Sequence, residues 1–220
     1  MNFDIQRVLV ALPVLLLSLT VHEFAHAWVA LKQGDDTAYM LGRVTLDPRA
    51  HLDPIGSLLF PILAIGSGLP LLGWARPVPT TPRKYRNYKR GDILVSIAGV
   101  CANLVLAILF AAAAFLFVLG VSQMETRPAF LQTIWHMLLM GVAGNVALIL
   151  FNLLPIPPLD GSHVFYHLLP PGLGATYRRL MPYGMLILWG LVIFGGFRWM
   201  GRLIDVIAGL LLSPIHLIVG

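Results

Sequence analysis

Residues 15–32 read LLLSLTVHEFAHAWVALK and set His22, Glu23 and His26 inside a stretch that is otherwise apolar. About 20 consecutive apolar residues are enough for a helix to cross a bilayer. An ionisable side chain at the centre of such a helix costs about 2.5 to 3.5 kcal/mol on insertion scales, so the glutamate needs a compensating role. The stretch therefore predicts a membrane helix, at about residues 5–31, that carries a polar site in its C-terminal third.

The composition of the whole chain indicates an all-α polytopic membrane protein. Of its 220 residues, 58% are hydrophobic and only 11% are charged, which is outside the range of an ordinary soluble domain. The longest polar stretch, residues 76–92, is too short to form a soluble core of its own. We predict a single integral membrane domain, residues 1–220, with core helices at about 5–31, 93–121 and 131–154 and further C-terminal helices at about 183–219.

The charge pattern and the cysteine content limit the partners and the metal ligands that the chain can use. Six basic residues lie between positions 76 and 92, and an excess of Lys and Arg in a loop indicates the cytoplasmic side of the membrane. No aromatic-basic platform accompanies them, so nucleic acid is not an expected partner. The single cysteine, Cys101, permits neither an intramolecular disulfide nor a cysteine-based metal site. Any metal must therefore be held by histidine and carboxylate side chains.

Two stretches after the first helix break the helical pattern. Residues 38–54 alternate loosely and contain Gly42, Pro48 and Pro54, which favours a short membrane-associated β-hairpin lying against the polar site. Residues 55–72 are apolar but are interrupted by proline and glycine. Since the end of the first helix and the basic loop are both predicted to be cytoplasmic, residues 55–72 are predicted to be re-entrant.

The spacing of His22 and His26 is the first indication of chemistry. Positions i and i+4 project from one face of a helix, so both imidazoles can bind one metal ion. Glu23 is close enough to reach a metal-bound water without being a ligand. This is the H-E-x-x-H arrangement of zinc peptidases, in which the ion lowers the pKa of its water to about 7 and the glutamate takes the proton. The structural alternative is a polar stripe that hydrogen-bonds to neighbouring helices.

A catalytic zinc site generally has three protein ligands, and Asp160 is the expected third. Most of the other acidic residues lie in predicted loops or tails. Asp160 follows an apolar helix that Pro155, Pro157 and Pro158 bring to an end, which leaves backbone carbonyls unpaired. Unwound backbone of that kind is tolerated at membrane depth where it lines a polar cavity. The predicted helix order also places this segment on the same side of the membrane as the histidine pair.

Two motifs carry a family resemblance: HEFAH at residues 22–26 and NLLPIPPLDG at residues 152–161. They resemble HExxH and NxxPxPxLDG of the site-2 protease family, the zinc intramembrane metalloproteases of peptidase family M50. The resemblance extends over most of the chain. GRVTLDPRAHLDPIG and GWARPVP are further similar to the compact bacterial and archaeal branch that has no PDZ or CBS domains.

This resemblance implies a three-helix catalytic core that holds one zinc ion per chain inside the plasma or inner membrane of a prokaryote, near the cytoplasmic face. It implies that His22, His26 and Asp160 bind the zinc and that Glu23 is the general base. Asn152 matches the family asparagine that is expected to orient substrate or support the site.

One segment departs from the family pattern. Where members usually read AGPxxN, this chain reads AGVCAN at residues 98–103. Asn103 is retained, whereas Val100 and Cys101 differ from the family. The departure affects neither an expected ligand nor the expected base.

The remaining histidines have less specific settings. His163 and His167 form a second i, i+4 pair, but no glutamate lies between them; an interfacial position is therefore favoured over a metal site. His51 either approaches the active cavity or makes a hydrogen bond within its loop. His136 and His216 are expected in packing or interfacial positions.

The predicted function is hydrolysis of a peptide bond in or beside the transmembrane segment of a membrane-protein substrate, with membrane lipid as the surrounding partner. A helix in lipid must unwind before cleavage, which leaves its backbone groups without partners. A strand edge over residues 39–46, including Tyr39, Gly42 and Val44, is predicted to pair with the unwound substrate. The sequence does not indicate an oligomeric state.

Two other functions use intramembrane histidine and aspartate. A metal or ion transporter would distribute polar residues along a path through several helices, whereas here they gather at one depth, with Asn103 and Asn152 as the main additions. A catalytically silent scaffold would keep the fold alone. Glu23 discriminates, because neither alternative needs an acid beside a two-histidine metal pair.

Overall fold

The computed structural model describes residues 5–67, 73–122, 124 and 128–219, and every regular element within them is helical. Shorter helical turns occur at Pro48–Ala50, Pro54–Leu59, Pro82–Lys84 and Met181–Tyr183. The α-helices are, in chain order, α1 (Ile5–Gln33), α2 (Thr37–Met40), α3 (Phe60–Ser67), α4 (Tyr88–Val121), α5 (Ala129–Asn152), α6 (Asp160–Leu168), α7 (Pro171–Leu180), α8 (Gly184–Ile193) and α9 (Arg198–Val219).

The described residues confirm the predicted all-α class, and helices α1, α4 and α5 are each long and apolar enough to cross a membrane. Helix α4 begins five residues before the predicted position of 93, because the Asn87 side chain accepts a hydrogen bond from the backbone N–H of Arg90 at 3.0 Å and caps the helix there. Residues 88–92 of the predicted basic loop therefore form the first turn of α4.

Small side chains allow the long helices to approach one another closely. Ala107, Ala111 and Ala114 follow one face of α4 and are all buried. Ala111 packs in a cluster with Val142 of α5 and Ala208 of α9. In a bilayer, where lipid tails are as apolar as leucine, this close packing replaces the hydrophobic effect as the force that associates helices. Helix α9 thus packs against the side of α4 and α5 where these small residues lie.

The predicted β-hairpin at residues 38–54 is wrong, since the structure has no strand in this stretch. The chain instead forms the short helix α2, and the Asp35 carboxylate, one residue before the N-cap position, accepts a hydrogen bond from the backbone N–H of Thr37 at 3.0 Å. Gly42 then adopts the left-handed conformation, with φ of 66°, that ends a helix without strain. A 3-10 turn follows at Pro48–Ala50.

The described part of the apolar stretch at 55–72 is helical. It contains the π-helical turn Pro54–Leu59 and helix α3, while residues 68–72 lie outside the described residues. The backbone N–H of Trp74 then donates to the carbonyl of Gly56 at 3.1 Å. Trp74 therefore lies beside the beginning of the stretch, and the predicted re-entrant path through a membrane stays a prediction.

The C-terminal part of the chain contains helices in the predicted region 183–219. Helices α8 and α9 lie there, and α9 is bent by 82° relative to the helical stretch that ends at Ile193. A fourth crossing of the membrane is possible by length only if this bent pair acts as one span.

Candidate metal site

Helix α1 presents two imidazoles whose outer nitrogens are already committed to helix α4. His26 Nδ1 lies 2.7 Å from the carbonyl oxygen of Val95, and His22 Nδ1 lies 2.5 Å from Asn103 Oδ1. Both partners are acceptors, so each Nδ1 donates its hydrogen and each Nε2 keeps a lone pair. Both histidines are buried, with 5% and 8% of their surfaces exposed. The pair is thus fixed in the tautomer that binds a metal through Nε2.

The chain after α5 brings a carboxylate to these lone pairs. Pro155, Pro157 and Pro158 prevent the helix from continuing, and the hydroxyl of Tyr177 donates to the freed carbonyl of Pro155 at 3.1 Å. Helix α6 starts directly at Asp160. The negative charge suits a helix N-terminus, where backbone N–H groups point outward.

Gly161 explains why the turn can be so tight. A Cβ at this position would collide with the backbone carbonyls of Leu153 and Leu154. The missing side chain lets the first turn of α6 rest directly against the end of α5. Asp160, the residue before Gly161, is thereby held at a fixed position along α1.

The three side chains converge at distances that suit a zinc ion. Asp160 Oδ2 lies 3.2 Å from His22 Nε2 and 3.4 Å from His26 Nε2, and the two Nε2 atoms are 3.0 Å apart. A tetrahedral ion with ligands at about 2.0 to 2.1 Å separates its ligand atoms by about 3.4 Å. Among the described residues, this is the group of histidine, cysteine and acidic side chains whose ligand atoms all lie within 4.8 Å of one another.

Two further observations indicate that the space between these three side chains suits a cation. Asp160 Oδ2 is buried without a hydrogen-bond partner in the part of the chain that the structure describes, although a buried carboxylate oxygen without a partner is costly. Gly99 of α4 faces both imidazoles, and a Cβ there would collide with His22 and with His26. Two imidazoles and a carboxylate are also a donor set that zinc accepts. The residues present therefore fit the metal.

Glu23 lies in the same cavity, which has a volume of about 300 Å³. Its Oε2 accepts a hydrogen bond from the backbone N–H of Val78 at 2.8 Å. Oε1 has no hydrogen-bond partner among the described residues. The cavity is walled by Leu19, Trp74, Val78, Leu148, Phe151 and Leu159 as well as by the polar residues. One carboxylate oxygen is thus held in place while the other can accept a proton.

A buried polar network stands behind His22. Asn103 Nδ2 donates to Asn145 Oδ1 at 2.7 Å, and Asn145 Nδ2 donates to Ser18 Oγ at 3.0 Å. Asn103 and Asn145 have no exposed surface, and Ser18 is 1% exposed. The amide of Asn103 cannot rotate without breaking these bonds, so the network fixes the acceptor of His22 and links α1, α4 and α5 around the site.

The other predicted site residues divide into two groups. Asn152 lines the cavity, and its Nδ2 donates to the carbonyl of Leu148 at 3.0 Å. The described lining of the cavity contains neither His51 nor the three residues predicted for the strand edge, Tyr39, Gly42 and Val44.

His51 has an identifiable role outside the cavity. It is 1% exposed, and its Nε2 donates to the carbonyl of Thr45 at 2.8 Å. This is the loop hydrogen bond of the two interpretations that the sequence allows. Tyr39, by contrast, is 60% exposed on α2.

Several residues that shape the site escaped sequence reasoning. Gly99 and the backbone of Val78 give no local signal, because their role depends on how helices and an extended segment pack. Asn145 did give a signal in the sequence, since an amide inside an apolar helix needs a hydrogen-bond partner. Asp92 also did: it lines the cavity and contacts His163 and His167.

Known proteins resemble the chain over most of its length. A protein of Bacillus subtilis (strain 168), named "Putative zinc metalloprotease YwhC", is 42% identical over 173 residues, which are 79% of this chain and 75% of that protein. The chain belongs to the site-2 protease family.

Two further relatives agree with this membership. Proteins named "Putative zinc metalloprotease Rip2" are 36% identical over 195 residues in Mycolicibacterium smegmatis and 38% identical over 177 residues in Mycobacterium tuberculosis. The matched regions cover 86% and 76% of this chain and 69% and 59% of those site-2 protease relatives. No family model and no solved structure matches the chain.

Proposed function

We propose that this chain is a zinc-dependent endopeptidase that hydrolyses a peptide bond in or beside the transmembrane segment of a membrane-protein substrate. One observation carries the proposal: two lone-pair nitrogens and one carboxylate oxygen lie 3.0 to 3.4 Å apart, with Glu23 in the same cavity. The relatives named as zinc metalloproteases support this class of reaction. We further propose that each chain holds one zinc ion through His22, His26 and Asp160.

In this mechanism the protein groups position the reactants and move the proton. Zinc bound at the site would polarise the scissile carbonyl and lower the pKa of a water to about 7. Glu23 takes a proton from the attacking water as the new bond to the carbonyl carbon forms. It then gives that proton to the amide nitrogen as the C–N bond breaks, which releases a carboxylic acid and an amine; the acid passes its proton to the amine to give a carboxylate and an ammonium group. The backbone N–H of Val78 holds the Glu23 carboxylate in reach of both positions.

The surroundings of the site support a substrate that comes from the membrane. His26 contacts Val95, seven residues after the start of α4 at Tyr88, which is about 10 Å along a helix. The site thus lies inside the length of two candidate spans, α1 and α4. We propose that Asn152 contacts the substrate or supports its binding at the cavity wall, and that Asn103 keeps His22 oriented.

We propose an orientation and a location from the same argument. The basic residues before α4 would lie on the cytoplasmic side, with the zinc site about 10 Å below that surface. The membrane would be the plasma or inner membrane of a prokaryote, and the direct partners would be the substrate helix and lipid. Nucleic acid is not proposed as a partner.

The proposal is tested with purified protein in lipid vesicles and a set of single-span membrane proteins as substrates. We expect cleavage by the wild type, its loss on chelation and its return with added zinc. Glu23→Gln is expected to keep its zinc and to lower kcat by about 100- to 10,000-fold, because the base is lost and the ligands stay. Cleavage by Glu23→Gln at the wild-type rate would contradict the proposed function.

A further inference from the structure

A second carboxylate lies at the wall of the catalytic cavity and has no role in the steps described above. Asp92, in the first turns of α4, is only 5% exposed. Its Oδ2 is 2.7 Å from His167 Nε2 and 3.5 Å from His163 Nδ1. A buried carboxylate needs partners, and both of these come from helix α6, which also bears Asp160.

The two histidines that share Asp92 differ in what their other nitrogen can reach. The His167 side chain is 5% exposed and packs edge-on against Tyr88. The His163 side chain is 42% exposed and lines the same cavity as Glu23 and Asp160. His163 follows Asp160 by three positions, so the two side chains share a face of α6. His167 is therefore an anchor between helices, whereas His163 faces the reaction space.

The contact with Asp92 also determines the chemical state of His163. Nδ1 is the ring nitrogen that lies 3.5 Å from the carboxylate, so Nε2 is the nitrogen available to the cavity. The contact with the Asp92 carboxylate raises the pKa of His163 above its ordinary value, against the opposing effect of burial. The imidazolium form, with an N–H on each nitrogen, is thereby favoured.

We propose that His163 is a catalytic residue of the peptidase: its Nε2–H donates a hydrogen bond to the scissile carbonyl oxygen as negative charge develops there. Asp92 is the positioning residue that holds the ring. The inference rests on the proposed function, and it involves no bond made or broken at His163. A donor that is already in place where charge develops is among the strongest contributors to catalysis.

The composition of the cavity supports this assignment. Its described lining contains no lysine and no arginine. Apart from the two candidate zinc ligands of α1, His163 is the side chain there that can bring a positive charge. The Asn152 amide, another polar donor in the lining of the cavity, already donates to the carbonyl of Leu148.

Two substitutions at His163 separate a catalytic from a structural role. In His163→Asn, the amide nitrogen takes the place of Nδ1 and keeps the contact with Asp92, but nothing replaces Nε2. In His163→Gln, the amide nitrogen reaches the place of Nε2, while the contact with Asp92 is lost. A catalytic role makes the asparagine variant the slower enzyme, and a structural role makes it the better tolerated one.

The experiment measures kcat, KM, bound zinc and the affinity for a peptide phosphonate, a tetrahedral anion that resembles the transition state. We expect His163→Asn to lower kcat by about 100- to 1,000-fold, to weaken phosphonate binding similarly, and to keep zinc and KM within about twofold of wild type. His163→Gln should show a smaller loss of kcat and of phosphonate affinity. In the matched control, His167→Gln keeps a donor at Nε2 and should leave kcat within about threefold.

A His163→Asn enzyme with full zinc and kcat within about threefold of wild type would overturn the inference. Loss of zinc or of folding in this variant would overturn it as well, since His163 would then be an anchor like His167. Glu23→Gln in the same assay separates the two proposals. If it is inactive while His163→Asn is fully active, only the inference about His163 fails.

Discussion

The chain contains two histidine pairs with the same i, i+4 spacing, and the structure gives them different environments. In the pair on α1, His22 and His26 turn the same nitrogen, Nε2, toward one point and lie 3.0 Å apart. In the pair on α6, His163 and His167 turn different nitrogens toward one carboxylate oxygen of Asp92. Spacing along a helix therefore does not decide whether a pair binds a metal.

The difference lies in what surrounds each pair. On α1, both Nδ1 atoms have acceptors on α4, and Gly99 leaves room in front of the rings. On α6, the 2.7 Å contact of His167 with Asp92 is a hydrogen-bond distance and is shorter than the separation of about 3.4 Å between two ligands of one zinc ion. The acceptors on α4 orient the first pair for a cation, whereas the second pair is held by the hydrogen bond between His167 and Asp92.

Among the variants that test the difference between the two pairs, Asp160→Ala should have the largest effect on zinc affinity. The pair on α1 would keep both imidazoles but would lose the carboxylate that lies 3.2 and 3.4 Å from them. We expect the affinity for zinc to fall by more than about 100-fold, which exceeds the effect of removing an outer partner. Competition with a chelator of known affinity measures this. Affinity within about threefold of wild type would show that the ion is held elsewhere.

Asn103→Ala removes an outer partner instead of a ligand. His22 Nδ1 would lose its acceptor, and the ring could turn. Changes of this kind lower metal affinity by about 10- to 100-fold, measured by the same competition. Ser122→Ala provides a control on the same chain, since Ser122 is exposed and bonds to its own helix end. Equal affinities for the two variants would contradict the role of the network.

Gly99→Ala tests the room in front of the first pair with a single methyl group. The new Cβ would meet both imidazoles, and overpacking typically costs about 1 to 3 kcal/mol, which predicts a loss of zinc affinity of about 5- to 160-fold. Gly120→Ala is the matched control on α4, because a Cβ there has nothing within 4 Å. Wild-type zinc affinity in both variants would show that the imidazoles do not need the space that Gly99 leaves.

The smallest effect on zinc is expected from His167→Ala, in the second pair. The side chain is buried against Asp92, so its removal leaves a carboxylate short of a partner and should lower stability by about 1 to 3 kcal/mol. Thermal unfolding in detergent measures this, and zinc per chain should stay unchanged. A loss of zinc without a loss of stability would make the second pair part of the metal site.

Much of the site could be predicted from the sequence, because its main groups carry local signals. HEFAH fixes two imidazoles and an acid on one helix, and three prolines mark the end of α5 before Asp160. The predicted hairpin failed because glycine and proline punctuate both hairpins and short helices. Asp35 decided between them by accepting hydrogen bonds from the backbone N–H of Thr37, at the start of α2, and from that of Thr81, a residue distant in sequence.

The remaining features depend on how elements pack. Val95 and Gly99 reach the imidazoles only because α4 is rotated so that small residues face α1. The backbone N–H of Val78 reaches Glu23 from an extended segment without a helical or strand pattern. These contacts join residues 55 to 77 positions apart or use backbone atoms, so composition and periodicity do not reveal them.

X-ray absorption at the zinc edge of the purified protein, with zinc quantified per chain, shows whether two imidazoles and a carboxylate hold the ion. We predict one zinc per chain, a shell of nitrogen and oxygen at about 2.0 to 2.1 Å, and ring scattering from two imidazoles. Two zinc ions per chain, or scattering from three or four imidazoles, would contradict the assignment of the metal to His22, His26 and Asp160.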